Sequence, residues 1–105
     1  MIAQGTTPYL QLKIRGHDLS GAKNIVISIR SQMKKMDLGK DRITVNVETE
    51  PAVRSVLTVR LTQQETLGLM PGEAKVQARW RTDLGTYGTV VKPLEVTGCL
   101  YKGVI

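Results

Sequence analysis

Residues 54–82, RSVLTVRLTQQETLGLMPGEAKVQARWRT, contain two runs of alternating apolar and polar residues joined by a short polar segment. In the first run Leu57, Val59 and Leu61 alternate with polar residues, and in the second run every other residue is apolar up to Trp80. Because successive side chains of a strand point to opposite faces, each run predicts a half-buried strand. The stretch therefore predicts an antiparallel β-sheet whose strands have one face in water.

The segment between the two runs predicts a short helical corner. Thr62 and Glu65 have the spacing of a capping box, in which the threonine hydroxyl accepts from the amide of Glu65 and the glutamate carboxylate accepts from the amide of Thr62. Pro71 begins a turn soon afterwards and keeps the helix short. We expect the corner to link two strands at the edge of a sandwich, with Leu67 and Leu69 filling the end of the core.

Alternation in the rest of the chain predicts further short strands separated by turn residues. Counted together, they give seven or eight strands, without a long helix and without an internal repeat. This pattern is typical of an immunoglobulin-like antiparallel β-sandwich with one short helical corner. The additional predicted segments are residues 9–15, 23–32, 33–38, 42–49 and 86–96, the last of them interrupted at Pro93.

Length and composition fit one small domain that spans residues 1–105. Hydrophobic residues make up 41% of the chain but aromatic residues only 4%, with no Phe, so the core is expected to consist of Ile, Val and Leu. The single cysteine, Cys99, excludes an internal disulfide framework and a cysteine-rich metal site. No apolar run reaches transmembrane length, and the first residues lack the pattern of a signal peptide. We expect synthesis in a cytoplasm and no membrane partner.

The residues that could support catalysis are few and lie in unsuitable places. His17 is the only histidine, and Asp18 and Ser20 are its close neighbours in one turn, whereas a catalytic triad normally joins residues from separate elements. Cys99 has apolar neighbours and no second histidine as a partner, so we expect a buried, inert thiol. The spacings of metal sites and of phosphate-binding glycine loops are also missing. The sequence therefore predicts a protein that is not an enzyme and has no catalytic, metal or cofactor-binding residues.

The net charge of +6 and the pI near 9.8 make an acidic surface or nucleic acid a possible partner. Most of the basic residues are dispersed along outward strand positions, where they also keep a sheet soluble. A candidate basic face would form if the two central strands pair. Its residues are Arg60, Lys75, Arg79 and Arg81.

Two interpretations of this candidate basic face remain open. It is either a solvated surface or a binding module for carbohydrate or nucleic acid. Binding of single-stranded nucleic acid usually needs aromatic residues interleaved with basic ones on one face. Here Trp80 is predicted to point into the core, and Tyr9, Tyr87 and Tyr101 are scattered. Nucleic acid is therefore possible as a partner but not favoured.

The two ends of the chain are candidate assembly contacts. Residues 1–8 predict an extended arm, and residues 98–105 form an apolar tail that either docks on a partner or completes the domain's own core. The candidate contact residues are Gly5, Thr6, Thr7, Pro8, Tyr101, Val104 and Ile105.

These features together resemble small structural proteins of phages and prophages, in particular the N-terminal domain of baseplate upper proteins of phages of Gram-positive bacteria. The resemblance implies an immunoglobulin-like β-sandwich that assembles into a virion with copies of itself and with other virion proteins, after synthesis in the host bacterial cytoplasm. Longer members of the family continue into a stalk and a receptor-binding region, so we expect a 105-residue chain to lack that region. Tail, baseplate, neck and capsid all remain compatible. The matching features, in order, are Gly5 to Pro8 before the first strand, LTQQET at 61–66, KVQARW at 75–80 and the closing Gly103 to Ile105.

Overall fold

The computed structural model describes residues 2–32 and 34–105, so the predicted contributions of Met1 to the arm and of Met33 to a strand lie outside the described residues. The described residues form nine strands, one α-helix and a 3-10 turn at Lys40–Arg42. The strands are β1 (Ile2–Ala3), β2 (Tyr9–Arg15), β3 (Asn24–Arg30), β4 (Lys35–Leu38), β5 (Thr44–Glu48), β6 (Arg54–Arg60), β7 (Gly72–Thr82), β8 (Gly85–Gly88) and β9 (Lys92–Thr97), and the helix is α1 (Gln63–Leu67).

The strands form two sheets with a shared apolar core. The larger sheet has the order β1-β9-β7-β3-β4, with β8 also pairing with β7, and the smaller sheet has the order β2-β6-β5. The predicted all-β sandwich with a short helical corner is therefore confirmed. Because α1 follows β6 and precedes β7, the corner carries the chain from the smaller sheet to the larger one.

The core is aliphatic, as the composition predicts. Ile25, Ile27 and Ile29 of β3 are completely buried, and Leu57 and Val59 of β6 contribute from the opposite sheet. These residues occupy the inward positions that the alternation predicts. Each such side chain stabilises the fold by about 1.5–3 kcal/mol relative to an exposed position.

The start of the chain differs from the predicted extended arm. Ile2 and Ala3 form β1, which pairs in parallel with Val96 and Thr97 of β9. The Ile2 side chain is buried in the core. The described residues therefore form nine strands rather than the predicted seven or eight. One strand pair, β1 with β9, is parallel, although the sandwich was predicted to be antiparallel. Two residues are too few to show an alternating pattern, which explains why β1 could not be predicted.

The helical corner forms as predicted. The amide of Glu65 donates to the Thr62 hydroxyl at 3.2 Å, and the amide of Thr62 donates to the Glu65 carboxylate at 2.8 Å. Leu69 follows the helix and is completely buried, whereas Leu67 is half-buried. The capping hydrogen bonds between Thr62 and Glu65 therefore hold the start of the helix, and the buried side chain of Leu69 holds its end against the core.

Candidate functional site

The two segments predicted as assembly contacts lie at the same end of the sandwich, around α1. The Thr66 hydroxyl donates to the carbonyl of Thr6 at 2.9 Å, which ties the segment Gly5 to Pro8 to the helix. The Gln63 side-chain amide exchanges two hydrogen bonds with the backbone of Ile105, at 2.7 and 3.1 Å. We call this region the corner end, and it comprises the segment Gly5 to Pro8, α1 and the segment Tyr101 to Ile105.

Gln4 holds the corner end together from inside. Its side chain is only 6% exposed. Its amide nitrogen donates to the carbonyl of Leu69 at 2.6 Å, while its amide oxygen accepts from the Lys102 ammonium at 2.6 Å and from the amide of Cys99 at 3.3 Å. One buried amide therefore joins β1, the corner and the tail. The sequence carries no signal for this role, because Gln4 stands in a polar segment far from its partners.

An ion pair fixes the outer side of the corner. The Arg42 guanidinium donates to both carboxylate oxygens of Glu65, at 2.9 and 2.8 Å, and also to the carbonyl of Arg60 at 3.0 Å. The Arg42 hydrogen bonds, helped by the amide of Thr62, lower the pKa of Glu65 to about 2 although partial burial opposes the shift. The same pair raises the pKa of Arg42. The corner therefore stays charged and rigid at neutral pH.

The tail exposes its apolar side chains instead of burying them. The exposed fractions are 67% for Tyr101, 55% for Val104 and 93% for Ile105. Val104 and Thr7 both border a shallow depression of about 500 Å³ beside α1. Of the two alternatives for the tail, completion of the domain's own core does not occur. Exposed apolar groups of this kind lose their contact with water only when another surface covers them.

The predicted basic face is divided between the two sheets. Lys75, Arg79 and Arg81 lie on the outer face of the larger sheet, at exposed positions of β7. Arg60 lies on the smaller sheet, because the corner separates β6 from β7 and the two strands do not pair. Its guanidinium lies 5.3 Å from the centre of the Tyr9 ring. The interpretation that all four residues share one face is therefore wrong for Arg60.

Two basic residues from neighbouring strands take the place of Arg60. Arg30 of β3 lies directly opposite Lys75 of β7 on one side and Lys35 of β4 on the other. The sequence shows that all three residues are outward but not which of them become neighbours, because the register depends on strands far apart in the chain. We call the resulting surface the basic face, formed by Arg30, Lys35, Lys75, Arg79 and Arg81.

The residues considered for catalysis do not come together. The His17 ring packs edge-on against Trp80 at a centroid distance of 5.3 Å, while Asp18 accepts from the hydroxyl of Ser20 at 2.6 Å. That hydrogen bond lowers the pKa of Asp18. Cys99 is half-buried rather than buried, and its sulfur lies 3.1 Å from the carbonyl of Tyr101. The tail therefore leaves the expected buried thiol partly open to solvent.

The described part of the chain shows neither a metal-binding cluster nor a helix that could cross a membrane. No three His, Cys, Asp or Glu side chains among residues 2–32 and 34–105 are grouped so that they could hold a metal ion. Neither helix in these ranges has the length and the apolar sequence needed to cross a bilayer. No family of known proteins matches the chain, and no curated protein matches it either.

Proposed function

We propose that this protein is a phage virion structural protein that acts by self-assembly and by protein–protein contacts rather than by catalysis. The observation that carries the proposal is the meeting of two segments at the corner end. The segment Gly5 to Pro8 and the segment Tyr101 to Ile105 both bind to α1, although they come from opposite ends of the chain. The exposed apolar residues of the tail supply surface that a neighbouring protein would cover.

The corner end is suited to assembly because its backbone is held in place before a partner arrives. Arg42, Glu65 and Gln4 make their hydrogen bonds within the chain. A partner that binds Tyr101 and Ile105 would therefore lose little free energy to ordering of the corner, because the corner is already held in place. Copies related by symmetry would present the same surface repeatedly, as the subunits of a particle do.

The sandwich also offers strand edges for contacts with other virion proteins. β2 and β5 are the two edge strands of the smaller sheet. A strand from a neighbour can add to such an edge through backbone hydrogen bonds without refolding of either protein. The proposal therefore extends to copies of this chain and to other virion proteins as partners, in a tail, baseplate, neck or capsid.

A pair of tail substitutions tests the assembly surface. Tyr101→Ser/Ile105→Ser should weaken self-association in sedimentation velocity, since removal of about 100 Å² of buried apolar surface corresponds to about 2.5 kcal/mol, or roughly 70-fold in affinity. The matched control is Leu84→Ser/Val90→Ser, because these side chains are 90% and 73% exposed but lie in the turns that flank β8. A wild-type protein that stays monomeric at high concentration, or equal effects of the two pairs, would contradict the proposed surface.

The virion assignment is tested by counting copies of the protein in particles. Mass spectrometry of gradient-purified particles from an induced culture of the source should find the chain in a fixed multiple of three, five or six per particle, as closed symmetry requires. The multiple would indicate tail, neck or capsid. Accumulation of the protein in cells together with its absence from particles would refute the virion role.

A further inference from the structure

Within residues 2–32 and 34–105, positive charges without an acidic partner occur on both sheets, at Lys13 and Arg15 of β2 and at most members of the basic face. On the smaller sheet Arg54 forms an ion pair with Glu48, and Arg60 lies over the Tyr9 ring. On the basic face Arg30 pairs with Asp37 at 2.9 Å. The other four members of the basic face make no salt bridge within residues 2–32 and 34–105. Among the described residues, the basic face therefore gathers four positive charges without an acidic partner on the outer side of the larger sheet.

Two lysines of the basic face, Lys35 and Lys75, flank Arg30, whose guanidinium also pairs with Asp37. Lys35, Arg30 and Lys75 form one row across three neighbouring strands. Strands lie about 4.8 Å apart, and like charges directly opposite each other on a sheet destabilise it. A bound anion would relieve this repulsion.

The basic face contains a shallow polar depression of about 420 Å³ that follows β3 and β7. Asn24 and Thr86 border it together with Arg79 and Arg81, and Asp37, which also borders it, already accepts hydrogen bonds from Ser28 and Arg30. Amide, hydroxyl and guanidinium groups are the donors that proteins direct at phosphate oxygens. The chemistry of the depression therefore fits a row of phosphates.

The aromatic residues near the basic face are engaged elsewhere. Trp80 is buried, and its ring stacks on that of Tyr87 at a centroid distance of 6.2 Å. Without a stacking platform on the face, single-stranded bases would have little to bind, whereas the backbone of a duplex needs only positive charge and donors. At the far end of the same face Glu73 lies directly opposite Glu95. These two carboxylates would repel phosphates and confine a duplex to the part of the face that carries Arg79 and Arg81.

We propose that the basic face binds the phosphate backbone of double-stranded nucleic acid without reading its sequence. Lys35, Lys75, Arg79 and Arg81 supply the charge, and the neighbouring polar side chains supply further hydrogen bonds. This activity goes beyond assembly and does not depend on the corner end. Tail variants would keep it, and basic-face variants would keep self-association.

Salt titration of duplex binding tests the proposal. The probe is a fluorescent DNA duplex of mixed sequence, about 30 base pairs long, whose anisotropy is followed with the full chain from about 25 to 200 mM NaCl. Three or four phosphate contacts predict that the logarithm of the binding constant falls with the logarithm of the salt concentration with a slope of about −3. Arg79→Gln/Arg81→Gln should reduce the magnitude of that slope by about 2, because each lost contact removes about 0.9.

The matched control lies on the other sheet. Lys13→Gln/Arg15→Gln removes the same charge from exposed positions of β2 and should leave the slope unchanged. Lys35→Gln/Lys75→Gln is a second test pair if the arginine variant fails to fold, which circular dichroism would show, and it should also reduce the slope by about 2. Both test pairs should self-associate like the wild type.

Several results would overturn the proposal. One is the absence of duplex binding at the lowest salt concentration, and another is an equal loss of slope in the test and control pairs, which would indicate net charge alone. Tighter binding of single-stranded DNA than of the duplex would also contradict it. So would binding of an anionic polysaccharide such as heparin by a protein that does not bind DNA.

Discussion

The corner end and the basic face use their polar groups in opposite ways. At the corner end Arg42, Glu65 and Thr62 form a closed set of hydrogen bonds, and the Gln4 side chain bonds to Leu69 and to two residues of the tail. On the basic face no salt bridge forms, within the described ranges, at Lys35, Lys75, Arg79 or Arg81. The comparison shows that charge contributes to the fold at one region and is left for a partner at the other. Substitutions at the corner end should therefore lower stability, whereas loss of charge on the basic face should not.

The largest effect is expected when the packing beneath the corner is removed. Leu69→Ala should destabilise the protein by about 3 kcal/mol, because Leu69 is completely buried and the change leaves a cavity. Urea unfolding at pH 7 measures this loss. The adjacent Met70→Ala is the control, since Met70 is 41% exposed and should lose less than about 0.5 kcal/mol. Similar losses in both variants would mean that the corner is not seated on the core.

An intermediate and pH-dependent effect is expected from Glu65→Gln. The pKa of Glu65 is about 2 in the folded protein against 4.5 ordinarily, so its carboxylate stabilises the fold fully above pH 4.5 and loses this effect as the pH falls to about 2. At pH 7 the variant should be less stable by about 1–2 kcal/mol. Urea midpoints measured from pH 7 down to 2 should converge with those of the wild type. Parallel curves would show that Arg42 contributes nothing through charge.

A residual pH dependence should remain in that variant. Hydrogen bonds from Ser28 and Arg30 lower the pKa of Asp37, and those from Ser20 lower the pKa of Asp18. Both carboxylates therefore contribute stability that is lost in acid, in the same direction as Glu65.

Thr62→Ala separates the cap from the ion pair, since loss of the cap hydroxyl should cost about 1 kcal/mol already at neutral pH.

The smallest effect is expected on the basic face, and it has the opposite sign. Lys75→Gln should stabilise the protein by about 0.3 kcal/mol at low salt, because Lys75 lies directly opposite Arg30. The gain should vanish at about 1 M salt, where the charges are screened. Lys13→Gln is the control, since the residue directly opposite Lys13 is the uncharged Val56. A loss of stability in Lys75→Gln would show that the lysine has a partner within the chain.

Local signals in the sequence were sufficient for most of the fold. Alternation identified the inward residues of β2, β3, β6 and β7, and the spacing of Thr62 and Glu65 identified the capping box that the structure contains. Each of these features depends on residues that are close in the chain. The strand predicted over residues 86–96 is interrupted at residues 89–91 rather than at Pro93, which lies within β9 beyond the short pairing with β1.

Features that depend on distant residues could not be predicted in the same way. Alternation shows that Arg60 points outward but not which sheet carries it, and the corner places it on the smaller sheet. The roles of Gln4 and Ile2 depend on partners in the corner, β9 and the tail, about 65 to 98 residues away. The contact of both terminal segments with α1 could not be predicted either, because it joins residues that are far apart in the chain.

The pairing of β1 with β9 also has a consequence for the order of events during synthesis. Val96, the partner of Ile2, is made 94 residues after it. At about 5–20 residues per second, the nascent chain spends about 5–20 s without β1 in place. Gln4 cannot make its bonds to Cys99 and Lys102 during that time, so the corner end would be completed only after translation has passed the tail. Chains that still lack residues 96–102 would therefore lack the complete corner end on which the proposed assembly depends.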